Sequence, residues 1–125
     1  MRYSKLKVSG DATSKLRTLH QRTGLRPNVL CRIALMLSLE EGSAAGRPVP
    51  PDDGMEFNRY TLTGEYDSVF VALLRFVEED SGRGSPLSDQ ELLSLLRTHI
   101  HEGLGRLAVR AKKPRDIALL STEAS

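Results

Sequence analysis

The stretch Thr23-Gly24-Leu25-Arg26-Pro27-Asn28-Val29-Leu30-Cys31-Arg32-Ile33-Ala34-Leu35-Met36-Leu37-Ser38-Leu39-Glu40-Glu41-Gly42 decides the fold. Gly24 suits the position just past a helix, where the chain turns left-handed to close the last carbonyls. Pro27 suits the first position of the next helix, because its missing N–H has no partner there and its φ is already helical. The spacing predicts a helix from Pro27 to about Glu41, stopped at Gly42. Val29, Leu30, Cys31, Ile33, Ala34, Leu35, Met36, Leu37 and Leu39 place apolar side chains around most of its circumference. A helix that is apolar nearly all round is buried nearly all round. A chain of 125 residues has little material to wrap it, so the pattern points to an oligomer with this helix at its centre.

Upstream, Ser9-Gly10-Asp11 offers an N-cap, Ser9 or Asp11, for a helix running to about Arg22. Ala12, Leu16 and Leu19 form its apolar stripe, and Lys15, Arg17, His20 and Arg22 occupy other positions around it. Tyr3 to Val8 alternates, with Tyr3, Lys5 and Lys7 on one face of an extended segment and Ser4, Leu6 and Val8 on the other. A lone strand leaves its backbone groups unpaired. No clear second strand follows nearby, so a second copy of the chain is the expected partner. The order of strand, basic helix, tight turn and buried helix is that of the ribbon-helix-helix architecture, in which paired strands present alternate side chains to DNA. Lys5 and Lys7 would be the presented charges, and the start of the second helix at Arg26-Pro27-Asn28 would offer free N–H groups to a phosphate. A solvated basic surface on an ordinary helical bundle fits the same spacing.

Downstream, residues 43–56 hold three prolines and two glycines and read as a long loop. Phe57 to Leu62 reads as a short extended piece. Thr63 is placed to cap a third helix from about Gly64 to Glu79, with Tyr66, Phe70, Leu73, Leu74 and Val77 toward the core. After a second loop, Ser81 to Leu87, Ser88-Asp89-Gln90-Glu91 is a capping box. It opens a fourth helix to roughly Arg110, with Leu92, Leu95, Leu96, His99, Ile100, Leu104 and Leu107 on one face. Gly103 and Gly105 inside that helix imply close packing or a bend, since each costs about 1 kcal/mol against Ala. The tail after Lys113 is expected to fray. The expected fold is mainly α: a ribbon-helix-helix-like single domain over residues 1–125, with a short N-terminal strand and about four helices.

Composition agrees with helix, because Ala, Glu, Lys, Leu and Arg supply 56 residues and Trp is absent. No apolar run approaches the roughly 18–20 residues that cross a bilayer. No apolar stretch follows the N-terminal charges, so a secretory signal is not expected. A single cysteine excludes an internal disulfide and suits a reducing cytoplasm. The net charge of +2 hides a division. Residues 1–32 carry eight basic residues and one acid, residues 33–103 five basic and thirteen acidic, residues 104–125 five basic and two acidic. Basic ends around an acidic middle suggest a polyanion-binding surface beside a differently charged partner surface.

The remaining candidates each have two readings. Asn28 and Arg32 share a helix face and suit a phosphate contact, or Arg32 forms an intersubunit salt bridge, the reading we favour. His99 and His101 point about 200° apart on a helix, so they share no metal; His99 belongs near the core and His101 at the surface. Cys31, one turn into its helix, is either an activated thiol or, more in keeping with an apolar helix, a small core residue. Asp52, Asp53 and Glu56 could hold Mg²⁺ for a nicking endonuclease, or lie in a solvated loop. No metal site and no cofactor are expected. The DNA-contacting set read from the sequence is Lys5, Lys7, Lys15, Arg17, Arg22, Arg26, Asn28 and Arg32.

Residues Thr23 to Ala34, the TG-x-x-PN-x-x-x-R stretch, with Leu37-Ser38-Leu39, Phe57-Asn58-Arg59-Tyr60-Thr61-Leu62-Thr63-Gly64-Glu65 and His99-Ile100-His101-Glu102-Gly103-Leu104-Gly105, resemble the DndE family of DNA sulfur-modification (phosphorothioation) proteins. The resemblance spans roughly residues 3 to 108. It implies a ribbon-helix-helix-like fold assembled as a homotetramer, and binding of duplex DNA, nicked duplex above all, through surface basic residues. By type these map onto Lys5, Lys7, Lys15, Arg17 and Arg22. It further implies work alongside a sulfurtransferase-like subunit and an ATPase-like subunit, with no settled catalytic residue of its own. The acidic run Glu78-Glu79-Asp80 would then dock a basic partner subunit or repel DNA elsewhere. The rival readings are a nicking endonuclease of the same system and a scaffold that does not touch DNA.

Overall fold

Local caps set where each helix begins and ends. Ser9 Oγ accepts from the Ala12 N–H at 3.0 Å and starts α1, Gly10–Thr23. Gly24, at φ 76°, closes it with an N–H to the His20 carbonyl at 2.8 Å. Pro27 opens α2, Pro27–Glu41, and Gly42, at φ 107°, ends it. The Ser88–Glu91 capping box forms as expected and opens α5, Asp89–Arg110. The computed structural model describes residues 3–79 and 85–123. Asp80 and residues 81–84 of the second expected loop lie outside them.

The N-terminal strand finds its partner inside the chain. β1, Lys5–Lys7, pairs antiparallel with β2, Glu56–Asn58, in the register Lys5 with Asn58, Leu6 with Phe57 and Lys7 with Glu56. The residues around 43–56 turn the chain back, and Val8 continues the ladder through bonds to the Met55 carbonyl and the Gly54 N–H. The expectation of a second copy as partner is therefore corrected. Two observations hold this return path in place. Met55 N–H donates to Thr13 Oγ1 at 2.8 Å. A Cβ on Gly54 would stand 2.3 Å from the Ser9 carbonyl oxygen, so only glycine lets the loop approach α1 this closely.

The segment read as extended from Phe57 to Leu62 divides after Asn58. The Asn58 side chain accepts from the Thr61 N–H and caps a one-turn helix, α3, Arg59–Leu62. Gly64, at φ 55°, then breaks the chain into a 3₁₀ turn, Gly64–Tyr66, before α4, Asp67–Glu79. Tyr66 is therefore half exposed rather than in the core, while Phe70 and Leu74 are buried as expected. Arg59 pairs with Asp67 and lies 5.3 Å from the Tyr3 ring centroid, tying the strand end to α4.

The core is the seam between α2 and α5. Leu30, Cys31, Ala34, Leu35 and Leu39 of α2 are buried with Leu92, Leu96, Ile100, Leu104 and Leu107 of α5. A Cβ on Gly103 would stand 1.8 Å from the Ala34 carbonyl oxygen, so this glycine is a packing requirement. Gly105 faces no such neighbour. The other side of α2 is only partly covered: Ile33 and Leu37 are half-buried and Met36 is exposed. The chain alone thus buries one face of α2, not its whole circumference. Past Lys113, where fraying was expected, the chain forms α6, Pro114–Glu123, whose Asp116 carboxylate accepts from the Lys112 and Lys113 N–H groups. The fold is mainly α, with four long helices, two shorter ones and a two-stranded sheet among the described residues. None of these helices is long and apolar enough to cross a membrane.

Candidate nucleic-acid interface

The pleat of β1 buries Leu6 and exposes Lys5 and Lys7. Lys5 Nζ stands 3.8 Å from Glu56 across the ribbon. On α1, Lys15 is held by Asp11 one turn earlier at 2.6 Å, and that ammonium holds the Asp11 carboxyl below its usual range. Arg17 is exposed beside a cleft formed by Gly10, Thr13, Asp53, Gly54 and Met55. Arg22 is exposed and its Nη1 donates to the Ala108 carbonyl of α5 at 3.3 Å. Arg26 is exposed at the start of α2, where it makes no side-chain cap, and Asn28 is half-buried in the first turn.

Arg32 is tied to backbone carbonyls within the chain. Its Nε donates to the Leu62 carbonyl at 2.7 Å and its Nη2 to the Thr61 carbonyl at 3.2 Å. It closes the C-terminal carbonyls of α3 within the chain. A residue the sequence reading passed over stands closer to the ribbon. Arg97 of α5 donates from Nε to the Lys7 carbonyl at 3.0 Å and from Nη2 to the Pro50 carbonyl at 2.7 Å. Lys5, Leu6, Lys7, Asp52, Glu56, Leu93 and Arg97 line one cleft of about 260 Å³. Arg97 sits between the buried Leu96 and Thr98, and nothing in its spacing predicts the ribbon as its neighbour.

Only two of the three loop acids, Asp52 and Glu56, share a cleft. Asp53 accepts from the Gly10 N–H at 2.8 Å at the start of α1, while Glu56 faces Lys5 and Asp52 lines the cleft. Among the described residues no group of three or more His, Cys, Asp or Glu is placed to hold a metal ion.

The family model for the DNA sulphur modification protein DndE matches residues 5–114, from β1 to the first residue of α6. The chain belongs to the DndE family. The crystal structure of DndE from Escherichia coli B7A, involved in DNA phosphorothioation modification, is similar with a TM-score of 0.71 at 22% identity. That likeness covers 83% of this chain and 97% of the other. The crystal structure of a DndE G21/24K mutant, involved in DNA phosphorothioation, gives 0.66 at 20% identity, covering 85% and 97%. Among curated proteins no relative matches.

Within this DndE-family fold the remaining candidates are internal. His99 is fully buried, as expected, and sits in a chain of bonds that the sequence did not suggest. Its Nδ1 lies 2.7 Å from Ser38 Oγ on α2 and its Nε2 2.6 Å from Glu78 Oε2 on α4. Glu78 also accepts from Ser43 Oγ at 2.6 Å and from the Ala44 N–H at 2.8 Å. Burial alone would raise the Glu78 carboxyl; bonds from Ala44, Ser43 and His99 outweigh it and hold the group below its usual range. Glu78 is thus no part of an exposed acidic docking run; Asp80, of that same run, is outside the described residues. His101 is half-buried, with Nδ1 3.3 Å from Ser9 Oγ. Cys31 is buried, and its thiol is pushed up to about 12 by desolvation, the opposite of activation.

Proposed function

We propose that this DndE-family chain is an accessory DNA-binding subunit of the phosphorothioation machinery in the cytoplasm, gripping the duplex backbone and presenting it to catalytic subunits. One observation carries the reading. Lys7, Arg17, Arg22 and Arg26 are exposed on β1, α1 and the start of α2 and have no carboxylate partner among the described residues. Cations that form no internal ion pair displace the counterions condensed on DNA when they meet its phosphates, which makes binding strong at low salt and weak at high salt. Few side chains there suit base edges, so sequence preference is weak. A nicked duplex bends at low cost and follows a broad basic face, which gives the expected preference for nicks. In this reading the chain contributes no bond-making step. Sulfurtransferase-like and ATPase-like subunits act on the DNA it holds, and the chain itself works as a homotetramer.

The test is fluorescence-anisotropy binding of nicked and intact duplexes at several salt concentrations. The wild type is run beside a variant in which Lys7, Arg17, Arg22 and Arg26 are each replaced by Gln. The expected result is tight, salt-sensitive binding whose log–log slope shrinks by about 0.9 for each phosphate contact removed. Equal binding by both proteins, or none by the wild type, overturns the reading. A scaffold role that does not touch DNA has its own support in Val69 and Phe76, seven residues apart on α4 and both largely exposed. Unchanged DNA modification by the charge-neutral variant would favour it.

A further inference from the structure

We infer that the cleft between β1 and α5 is the seat for a nucleic-acid backbone phosphate, with Arg97 as its fixed anchor and Asp52 and Glu56 as resident competitors. This rests on the DNA-binding reading and adds to it where on the basic surface the backbone is seated and what tunes its grip.

Arg97 lies outside the basic first third of the chain, yet its guanidinium reaches the same cleft as Lys5 and Lys7. Both of its hydrogen bonds go to neutral carbonyls, so they fix the group without neutralising its charge. A guanidinium carries five N–H donors. These bonds use one on Nε and one on Nη2, so donors remain for a phosphate. The group is also already ordered, so binding a phosphate costs it little rotamer freedom. Leu6, buried, and Leu93, half-buried, form an apolar wall. Charges against such a wall act with less screening than charges in open solvent.

Three cations around one cleft repel one another unless a counter-charge is present. Asp52 and Glu56 supply it: Glu56 approaches Lys5 to 3.8 Å, and both members of that pair are substantially exposed. An exposed pair of this kind is worth about 0–1 kcal/mol, so an incoming phosphate can replace the carboxylate. Position favours a polymer over a free ion. Asp52 and Glu56 line this cleft, while Asp53, Gly54 and Met55, from the same short segment, line the cleft beside Arg17. A strand crossing that segment meets Lys5, Lys7 and Arg97 on one side and Arg17 on the other.

The experiment measures anisotropy of fluorescein-labelled nicked duplex with the full chain and four variants. Arg97→Gln is expected to weaken binding about tenfold and to lower the salt slope by about one. Arg97→Lys, which keeps the charge, is expected to retain most of the slope. Asp52→Asn/Glu56→Gln is expected to tighten binding severalfold. Glu65→Gln, on the 3₁₀ turn and not lining the cleft, is expected to leave binding unchanged. The double variant breaks no carbonyl tie, so it decides the matter even if Arg97→Gln fails to fold. Wild-type affinity in the double variant overturns the inference. Stronger displacement of DNA by inorganic phosphate than by sulfate at equal ionic strength would mark a free-phosphate pocket and also overturns it. Loss of wild-type DNA binding at every salt concentration instead defeats the underlying reading. Weakening confined to the Lys7/Arg17/Arg22/Arg26 variant leaves that reading standing and defeats the seat alone.

Discussion

Glu78 and Glu56 are carboxylates paired with a potential cation, and their settings could hardly differ more. The Glu78 side chain is 1% exposed and bonded to His99, Ser43 and the Ala44 N–H. The Glu56 side chain is 44% exposed and stands 3.8 Å from Lys5. Around Glu78, solvent offers no substitute for a lost partner, so the group is a fixed joint between α2, α4 and α5. Around Glu56, water, salt or a phosphate can take over at little cost. Burial, not the identity of the pair, separates the part that holds the fold from the part that can exchange partners.

The comparison breaks most visibly if Glu78 is removed. Glu78→Ala leaves His99 and the Ala44 N–H buried without their acceptor, and is expected to cost about 3–5 kcal/mol in urea unfolding. A loss below about 1 kcal/mol would mean that water reaches the joint. Next comes the seam that the joint braces. Gly103→Ala drives a methyl into the Ala34 backbone, and is expected to cost about 1–3 kcal/mol or more. Gly105→Ala meets nothing and is expected to gain up to about 1 kcal/mol from helix propensity. Equal effects at the two positions would refute the close approach.

A smaller effect is expected from pH. The folded-state carboxyl of Glu78 is depressed. Its contribution to stability is therefore complete above the ordinary glutamate range, and is lost as pH falls through the folded value. The difference in Tm between wild type and Glu78→Gln should narrow from pH 7 toward pH 3; a constant difference would contradict this. Smallest of all, Glu56→Gln should change stability by less than about 0.5 kcal/mol, as expected of an exposed pair. Differential scanning calorimetry would reveal a larger cost.

The helix ends were legible because their signals are local. Ser9, Gly24, Pro27, Gly42 and the Ser88–Glu91 box each act within one turn, and each does so here. The partner of β1 was not legible, because Lys5 and Asn58 are brought together only by tertiary structure and residues 56–58 are too short to show an alternation. Glu78 had a signal that the acidic run concealed: Phe70, Leu74 and Glu78 follow one another at four-residue intervals, so the carboxylate continues the apolar stripe of α4. The exposed set Lys5, Lys7, Arg17, Arg22 and Arg26 could be read from charge alone. The fixing of Arg32 and Arg97 on backbone carbonyls could not, since acceptors of that kind have no sequence signature.

The closure of β1 on β2 within one chain has a consequence for valency. A ribbon shared between two chains gives each protomer half a surface, so dissociation destroys it. Here Lys5, Lys7, Asp52, Glu56 and Arg97 all come from a single chain. If this cleft seats a phosphate as inferred above, each copy carries a complete seat, and association of copies would multiply seats instead of creating them. Dilution would then lower avidity, through the loss of effective concentration, while leaving the affinity of each seat unchanged.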